Sequence, residues 1–268
     1  MHEQNELYAS KIFFNAALPL LKVIATDVPS LKAKFDKLTT VLQVSALDPE
    51  AEGGKYATHF IITEGEWETK LNAAHEAPDV ELEFKSIEAM NAFFKGKIGP
   101  KTLPKMKGVV KNFSAFTAML LTLLKLSDLT GATQPPKDEE TKTLMVKCFF
   151  YLLSSGISQL NKMGHTEIKD WTSKSPDRVY AFAVDGHPEV SAFIRIKAGK
   201  SRAGRGEYKR AMPFFTLRFN CLESALGILL STDDMLESTK SGKLIMEGGP
   251  EFGAQLGGFM LEVGALAK

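Results

Sequence analysis

Leu82-Glu83-Phe84-Lys85-Ser86-Ile87-Glu88-Ala89-Met90 decides the reading of this chain, because Leu217-Arg218-Phe219-Asn220-Cys221-Leu222-Glu223-Ser224-Ala225 repeats its pattern 135 positions later. In both stretches a strict apolar alternation gives way to helical spacing. Phe215, Leu217 and Phe219 point one way and Thr216, Arg218 and Asn220 the other, as a half-buried strand requires. Ser86 stands where a helix N-cap belongs, with a hydroxyl able to accept an orphan backbone N–H.

Other pairs recur in the same order on either side. Lys11-Ile12-Phe13-Phe14 answers Lys147-Cys148-Phe149-Phe150, and Val41-Leu42-Gln43-Val44 answers Val179-Tyr180-Ala181-Phe182. Phe60-Ile61-Ile62 answers Phe193-Ile194-Arg195. Gly108 and Phe113 answer Gly248 and Phe252, each pair leading into an apolar C-terminal helix. The offset drifts between 133 and 140, as loop insertions cause. The chain therefore reads as a duplication: a first unit over 1–130, a linker over 131–139 and a second unit over 140–268. Pro135-Pro136 and their polar flanks block helix continuation and favour an exposed connection.

Each unit opens with an amphipathic helix, Leu7–Ala25 or Glu140–Met163. Strands follow over Thr39–Leu47 and Asp177–Val184, then Ala57–Thr63 and Val190–Lys197, then Glu66–Ala73 and Glu207–Met212. The fourth pair is Val80–Lys85 and Phe214–Asn220. A short helix to Lys95 or Leu230, a glycine-bounded fifth strand and a final helix, Phe113–Leu126 or Glu251–Ala267, complete each unit. Strands grouped apart from helices make an α+β protein of two repeated units, each a five-stranded mostly antiparallel sheet with helices covering one face.

Composition sets the outer bounds. With 268 residues, 33 basic and 32 acidic side chains and 44% apolar residues, the chain is that of a folded protein. A net charge of +1 argues against a nucleic-acid partner held by phosphate neutralisation. Two cysteines, Cys148 and Cys221, form no disulfide framework and suit a reducing compartment. The acidic start Met1-His2-Glu3-Gln4-Asn5-Glu6 lacks the positive region of a secretory signal. The greasiest run, Phe113–Leu124, is shorter than the roughly 20 residues of a bilayer span. The expectation is a soluble, cytoplasmic protein.

The order of elements resembles the sterol carrier protein type 2 family. The motifs that carry the likeness are Gly96-Lys97-Ile98-Gly99-Pro100 with Met106-Lys107-Gly108, Gly242-Lys243-Leu244-Ile245-Met246-Glu247-Gly248, and the strand Asp79-Val80-Glu81-Leu82-Glu83-Phe84. Each half supplies part of the pattern. Leu103-Pro104-Lys105 stands where a full Gly-Lys-Leu strand belongs, and Ser231-Thr232-Asp233-Asp234 replaces the second Gly-Lys-x-x-Pro step. The resemblance implies a non-catalytic protein that binds or carries a lipid tail or sterol in an apolar tunnel.

The helix from Phe113 is apolar nearly all round, so it must be enclosed on several sides. Core packing, packing between the halves, dimerisation and tunnel lining would each enclose it. As tunnel wall it would offer Phe113, Phe116, Met119, Leu120 and Leu123. The second final helix carries Gly253, Gly257, Gly258 and Gly264, and Gly253 and Gly257 share a face open to close approach. A neighbouring helix or strand would fill that face. A ligand there would meet Phe252, Leu256, Phe259 and Met260. The rival to a lipid binder is a pseudo-dimeric interaction or structural module with filled cores, and in either case the halves are expected to pack on each other.

The remaining signals are weaker. Lys197–Arg210 is basic and contains Gly-Lys-Ser, yet Ile194 stands where a phosphate-binding loop needs glycine. It reads as a solvated hairpin turn, with transient docking on an anionic membrane surface as its functional alternative. The histidines at 2, 59, 75, 165 and 187 have no metal-ligand spacing, no Gly-x-Ser-x-Gly occurs, and both cysteines lie in apolar patterns. No catalytic residue, metal or cofactor is expected. All six arginines, Arg178 through Arg218, lie in the second half.

Overall fold

The computed structural model describes residues 3–267. It divides into two compact units, Met1–Asp128 with Leu266–Lys268, and Leu129–Ala265.

Unit 1 begins with α1 (Gln4–Ile12), a π-helical turn (Phe13–Ala17), α2 (Leu20–Asp27) and α3 (Pro29–Phe35). The single helix expected over Leu7–Ala25 is interrupted at Pro19, which has no N–H to donate and whose ring crowds the turn before it. The backbone widens instead, and the Leu18 N–H reaches back to the Phe13 carbonyl at 2.8 Å. The Phe14 carbonyl accepts the Thr58 hydroxyl at 2.9 Å.

The strands are β1 (Thr39–Leu47), β2 (Lys55–Thr63), β3 (Glu66–Leu71), β4 (Val80–Phe84) and, after α4 (Ile87–Phe94), β5 (Lys105–Lys107). Their order is β3-β2-β1-β4-β5, with β1 and β4 parallel and every other pairing antiparallel. Helix α5 (Phe113–Gly131) follows β5 and runs across the boundary at Asp128. Ser86 caps α4, accepting the Ala89 N–H at 3.2 Å. Leu42, Val44, Phe60, Ile62, Val80 and Phe84 fill the helix-covered face and are all essentially inaccessible.

Unit 2 runs α6 (Glu139–Lys162), α7 (Thr166–Lys174), β6 (Arg178–Val184), β7 (Ala192–Lys197), β8 (Lys200–Arg205), β9 (Phe215–Phe219), α8 (Leu222–Leu229), α9 (Met235–Lys240), β10 (Leu244–Glu247) and α10 (Pro250–Ala267). The order β10-β9-β6-β7-β8, with β6 and β9 parallel, is the topology of unit 1. Phe150 of α6 lies over Phe182 and Phe219, with centroids 5.4 and 6.0 Å away.

Correspondence extends to single residues. Glu64-Gly65 and Ala198-Gly199 join their hairpins through two residues of positive φ, the turn whose twist suits paired strands. Gly108 and Gly248 both have positive φ and both back onto the carbonyl just before the fourth strand of their unit. A Cβ would stand 1.8 Å from the Asp79 oxygen in one and 3.0 Å from the Phe214 oxygen in the other.

The third strand of unit 2 corrects the sequence reading. It lies at Lys200–Arg205, inside the basic stretch read as a solvated turn, and not at Glu207–Met212. The two-residue turn leaves enough chain for a six-residue strand. Ser201 faces α6, where its hydroxyl accepts the Asn161 amide at 2.9 Å. Gly204 lies opposite Phe193, and a Cβ there would meet the ring at 2.1 Å. Gly204→Val is therefore expected to destabilise unit 2 by about 2 kcal/mol, and Phe193→Ala in the same chain to recover part of that loss. Urea unfolding of the two variants and the double variant checks the coupling.

The second face of each sheet is crossed by the segment that joins the third strand to the fourth. In unit 1 this is the stretch after Asn72, where the His59 ring meets the Ala73 carbonyl at 2.7 Å and the His75 N–H donates to Gln43 Oε1 at 2.6 Å. In unit 2 the crossing carries Tyr208, packed edge-on against Phe193 at 5.0 Å.

Candidate functional site

Helix α5 starts from a fixed point. The Asn112 side chain donates to the Asp79 carbonyl at 2.8 Å, and Gly108 allows the chain to turn tightly against that same carbonyl. Along α5, Thr117 and Thr122 return their hydroxyls to the carbonyls of Phe113 and Ala118, which conceals their polarity. The buried side carries Ala115, Ala118, Met119, Thr122 and Leu126. The opposite side is open: Phe113 is 65% exposed, and Leu120, Leu121 and Leu124 are exposed with it. Phe116 and Leu123 are half-buried between the two sides.

Two expectations change here. The helix is not enclosed all round, because apolar periodicity counts faces and not the partners available to cover them. It is also longer than the greasy run within it. At 19 residues α5 is long and apolar enough to cross a membrane, as are Gln4–Asp27 and Glu139–Lys162. Those two are mostly buried in the protein, whereas about a third of α5 is.

Helix α10 is different. Leu256, Phe259 and Met260 are buried, and Phe252 is half-buried in a cluster with Tyr180, Phe214 and Phe215. The Arg178 guanidinium lies over the Phe214 ring at 3.8 Å. The glycine face is occupied. The Met246 sulfur would stand 2.4 Å from a Cβ at Gly253, the Met235 methyl 3.1 Å from one at Gly257, and on α6 Gly156 is filled by Val263. Close packing by methionine and valine side chains accounts for these three glycines.

Between α7 and α10 is a cleft of about 410 Å³ lined by His165, Glu167, Asp170, Trp171, Gln255 and Phe259, among others. Its mouth is polar: His165 Nε2 stands 3.5 Å from Glu262. Of the nine wall residues expected, Phe259 lines this cleft. It is a mixed surface and not the apolar tunnel that the resemblance implies.

A heavily bonded ionisable group that the sequence reading passed over is Glu81. It is 3% exposed on the second face of the unit 1 sheet. Its Oε1 accepts from Gln43 at 2.7 Å, Ser45 at 2.6 Å and Lys55 at 2.9 Å, and its Oε2 accepts from Lys107 at 3.0 Å. Burial pushes the carboxyl up, but donation by Ser45, Lys55, Lys107 and Gln43 outweighs it and brings the group to about 2. A carboxylate held that low is a poor proton carrier at neutral pH, so its role is to tie four strand residues together. In unit 2 the register puts Ala181 and Thr216 at the Gln43 and Glu81 positions, and Phe193 with Tyr208 packs there. Cys148 is buried. Cys221 precedes α8 with its sulfur 3.2 Å from the Ser224 hydroxyl.

No protein-family model matches the chain, and no curated protein matches it. Among solved structures it is similar to the ubiquinone synthesis protein UbiJ-SCP2, at 18% identity over 44% of this chain and 96% of that one, with a TM-score of 0.28. It is similar to a conserved hypothetical protein of Thermus thermophilus, named with a query as a sterol carrier protein, at 18% identity over 44% of this chain and 92% of that one, with a TM-score of 0.30. Sterol carrier protein 2 is similar at 17% identity, over 43% of this chain and 96% of that one, with a TM-score of 0.28. Each likeness spans less than half of this chain.

Proposed function

We propose that the protein is a non-catalytic binder of a lipid-like or other hydrophobic small molecule in the cytoplasm, and that α5 supplies the contact. The observation that carries this reading is the open apolar side of α5, where Phe113, Leu120 and Leu124 repeat along one stripe beside half-buried Phe116 and Leu123. Monomeric proteins rarely leave such a stripe uncovered without a use for it. The apolar circumference of the same helix made tunnel lining one of its readings in the sequence, beside core packing, packing between the halves and dimerisation. Filling of the glycine face by Met246, Met235 and Val263 favours a second reading for unit 2, a packed module without a ligand.

Mass spectrometry of native protein purified without detergent is expected to show a co-purified lipid, and a fluorescent fatty acid is expected to bind. Phe113→Ser and Leu120→Ser are each expected to weaken fatty-acid binding about tenfold, the effect of losing one buried apolar side chain. Both side chains are exposed, so the fold should survive. Absence of any lipid together with no fatty-acid binding would refute the proposal.

A further inference from the structure

From Ala89 to Ser127 the chain contains no acidic residue and seven lysines: Lys95, Lys97, Lys101, Lys105, Lys107, Lys111 and Lys125. Elsewhere the two signs are mixed, and the whole chain comes to +1. Lys107 is engaged by Glu81 and Glu83. Lys95, Lys97, Lys101, Lys105 and Lys111 are exposed, and among the described residues none forms an ion pair.

The same stretch concentrates exposed apolar side chains. Fourteen large hydrophobic residues are exposed among those described, and eight of them fall between Ile98 and Leu124. Ahead of the α5 stripe stand Ile98, Leu103, Met106 and Val110, the last 95% exposed. The backbone around them is ordered. Thr102 Oγ1 donates to the Lys97 carbonyl at 2.7 Å and accepts the Gly99 N–H at 2.9 Å, and β5 is paired to β4. Lysines and exposed apolar side chains therefore alternate along a structured turn, a strand and the start of a helix.

We infer that this segment, residues 95–113 of unit 1, docks the protein on the surface of an anionic lipid bilayer. The charge selects the partner. Five unpaired ammonium groups with no carboxylate nearby in sequence suit a negative surface, each worth about 1 kcal/mol close to it. The apolar side chains select a bilayer over a merely acidic surface, because Ile98, Leu103, Met106 and Val110 gain only where they can leave water. The aliphatic stems of the lysines can follow them while the charges stay at headgroup level. The sequence had suggested the basic stretch of unit 2 for such contact. There Lys197 is paired with Asp177, and the centre of the stretch is strand β8. This docking surface stands whether or not the protein carries a lipid.

Co-sedimentation of the full chain with phosphatidylcholine vesicles, with or without 30% phosphatidylserine, tests it. Binding is expected to the phosphatidylserine vesicles alone. The triple variant Lys97→Glu, Lys101→Glu, Lys111→Glu is expected to weaken it at least about tenfold, and Ile98→Ser with Val110→Ser about tenfold. Lys200→Glu with Arg202→Glu in β8 is expected to leave it unchanged. All these positions are exposed, and a thermal melt of each variant confirms folding. Equal binding to neutral vesicles, or an unchanged triple variant, would overturn the inference. Loss through the lysines alone, with the serine variant neutral, would mean a purely electrostatic adsorption that any acidic surface could supply, and would also overturn it. Binding that survives 1 M salt and alkaline carbonate would mean insertion of α5 across the bilayer and would overturn surface docking. Fatty-acid binding by the triple variant is expected to stay at the wild-type value, which separates this test from that of ligand carriage.

Discussion

Replacing Gly108 by alanine is expected to cost unit 1 about 4 kcal/mol and to lower its Tm by on the order of 10 °C. Two effects add at this position. The backbone is at φ +75°, where an L side chain costs roughly 1–2 kcal/mol. The new methyl would also stand 1.8 Å from the Asp79 carbonyl oxygen, a backbone atom held by its own pairing and unable to swing aside. That carbonyl accepts from Asn112, and the Asp79 N–H donates to Val41, so retreat would disturb both β4 and the start of α5. Gly96 provides the control, with φ +79° and nothing within 4 Å of a Cβ. Gly96→Ala should lose about 1 kcal/mol, the conformational part alone. Gly108→Asn, a residue that tolerates positive φ, should remain nearly as damaging as alanine. Urea denaturation of the three variants checks the ordering; equal losses at 96 and 108 would show that the close approach to Asp79 does not matter.

Acid should dismantle the Glu81 cluster, and replacing the residue should remove that acid sensitivity. The carboxyl titrates at about 2 in the folded chain against an ordinary value of 4.5. The unfolded chain therefore takes up this proton first as pH falls. The stabilisation is complete above about pH 5, shrinks from there downward, and is gone once the pH passes below about 2, a total of roughly 3 kcal/mol. Glu81→Gln should flatten the stability curve between pH 2 and 5 relative to wild type. Glu81→Ala should cost about 3–5 kcal/mol at pH 7, because Lys55 and Lys107 lose their buried partner. Chemical unfolding at half-unit pH steps is the measurement. Curves for wild type and Glu81→Gln that run parallel from pH 2 to 7 would contradict the assignment. Unit 2, with Thr216 at the corresponding position, has no such group to titrate there.

Much of the fold was legible because burial leaves a period in the sequence. Phe215, Leu217 and Phe219 alternate because one face of β9 meets the core, and Val80, Leu82 and Phe84 do so for the same reason in β4. Strand β8 was not legible. Lys200, Arg202 and Arg205 stand among small residues with no apolar alternation, and what makes the segment a strand is the turn at Ala198-Gly199 and the ring of Phe193 over Gly204. The helices α3, α7 and α9 were missed because few buried apolar side chains mark their period, Leu31 and Phe35 in α3, Ile168 and Trp171 in α7 and none in α9, although Asp234 caps α9 by accepting the Glu237 N–H at 2.9 Å.

Site features divided along the same line. The apolar composition of α5 could be read directly, but its open side depends on which neighbours are present, and no periodicity reports that. Glu81 occupies an outward-facing strand position, which ordinarily means solvent. Only the strand register, which sets it beside Gln43, Ser45 and Lys107, reveals a buried cluster. The acid-free run from Ala89 to Ser127 was readable throughout, and it gained meaning once the exposure of Ile98, Leu103 and Val110 was known.

The shared strand order also bears on self-association. Two open sheets give one chain four outermost strands, β3, β5, β8 and β10, each a template on which another strand could pair. All four are short, from three to six residues. Glu66, Glu68 and Lys70 mark β3, Lys105 and Lys107 flank the single methionine of β5 behind Pro104, and Lys200, Arg202 and Arg205 mark β8. Stacking a second copy edge to edge would bring like charges together and desolvate them. The lysines and arginines of these rims therefore guard the chain against growing into fibres, a duty separate from any surface the protein meets.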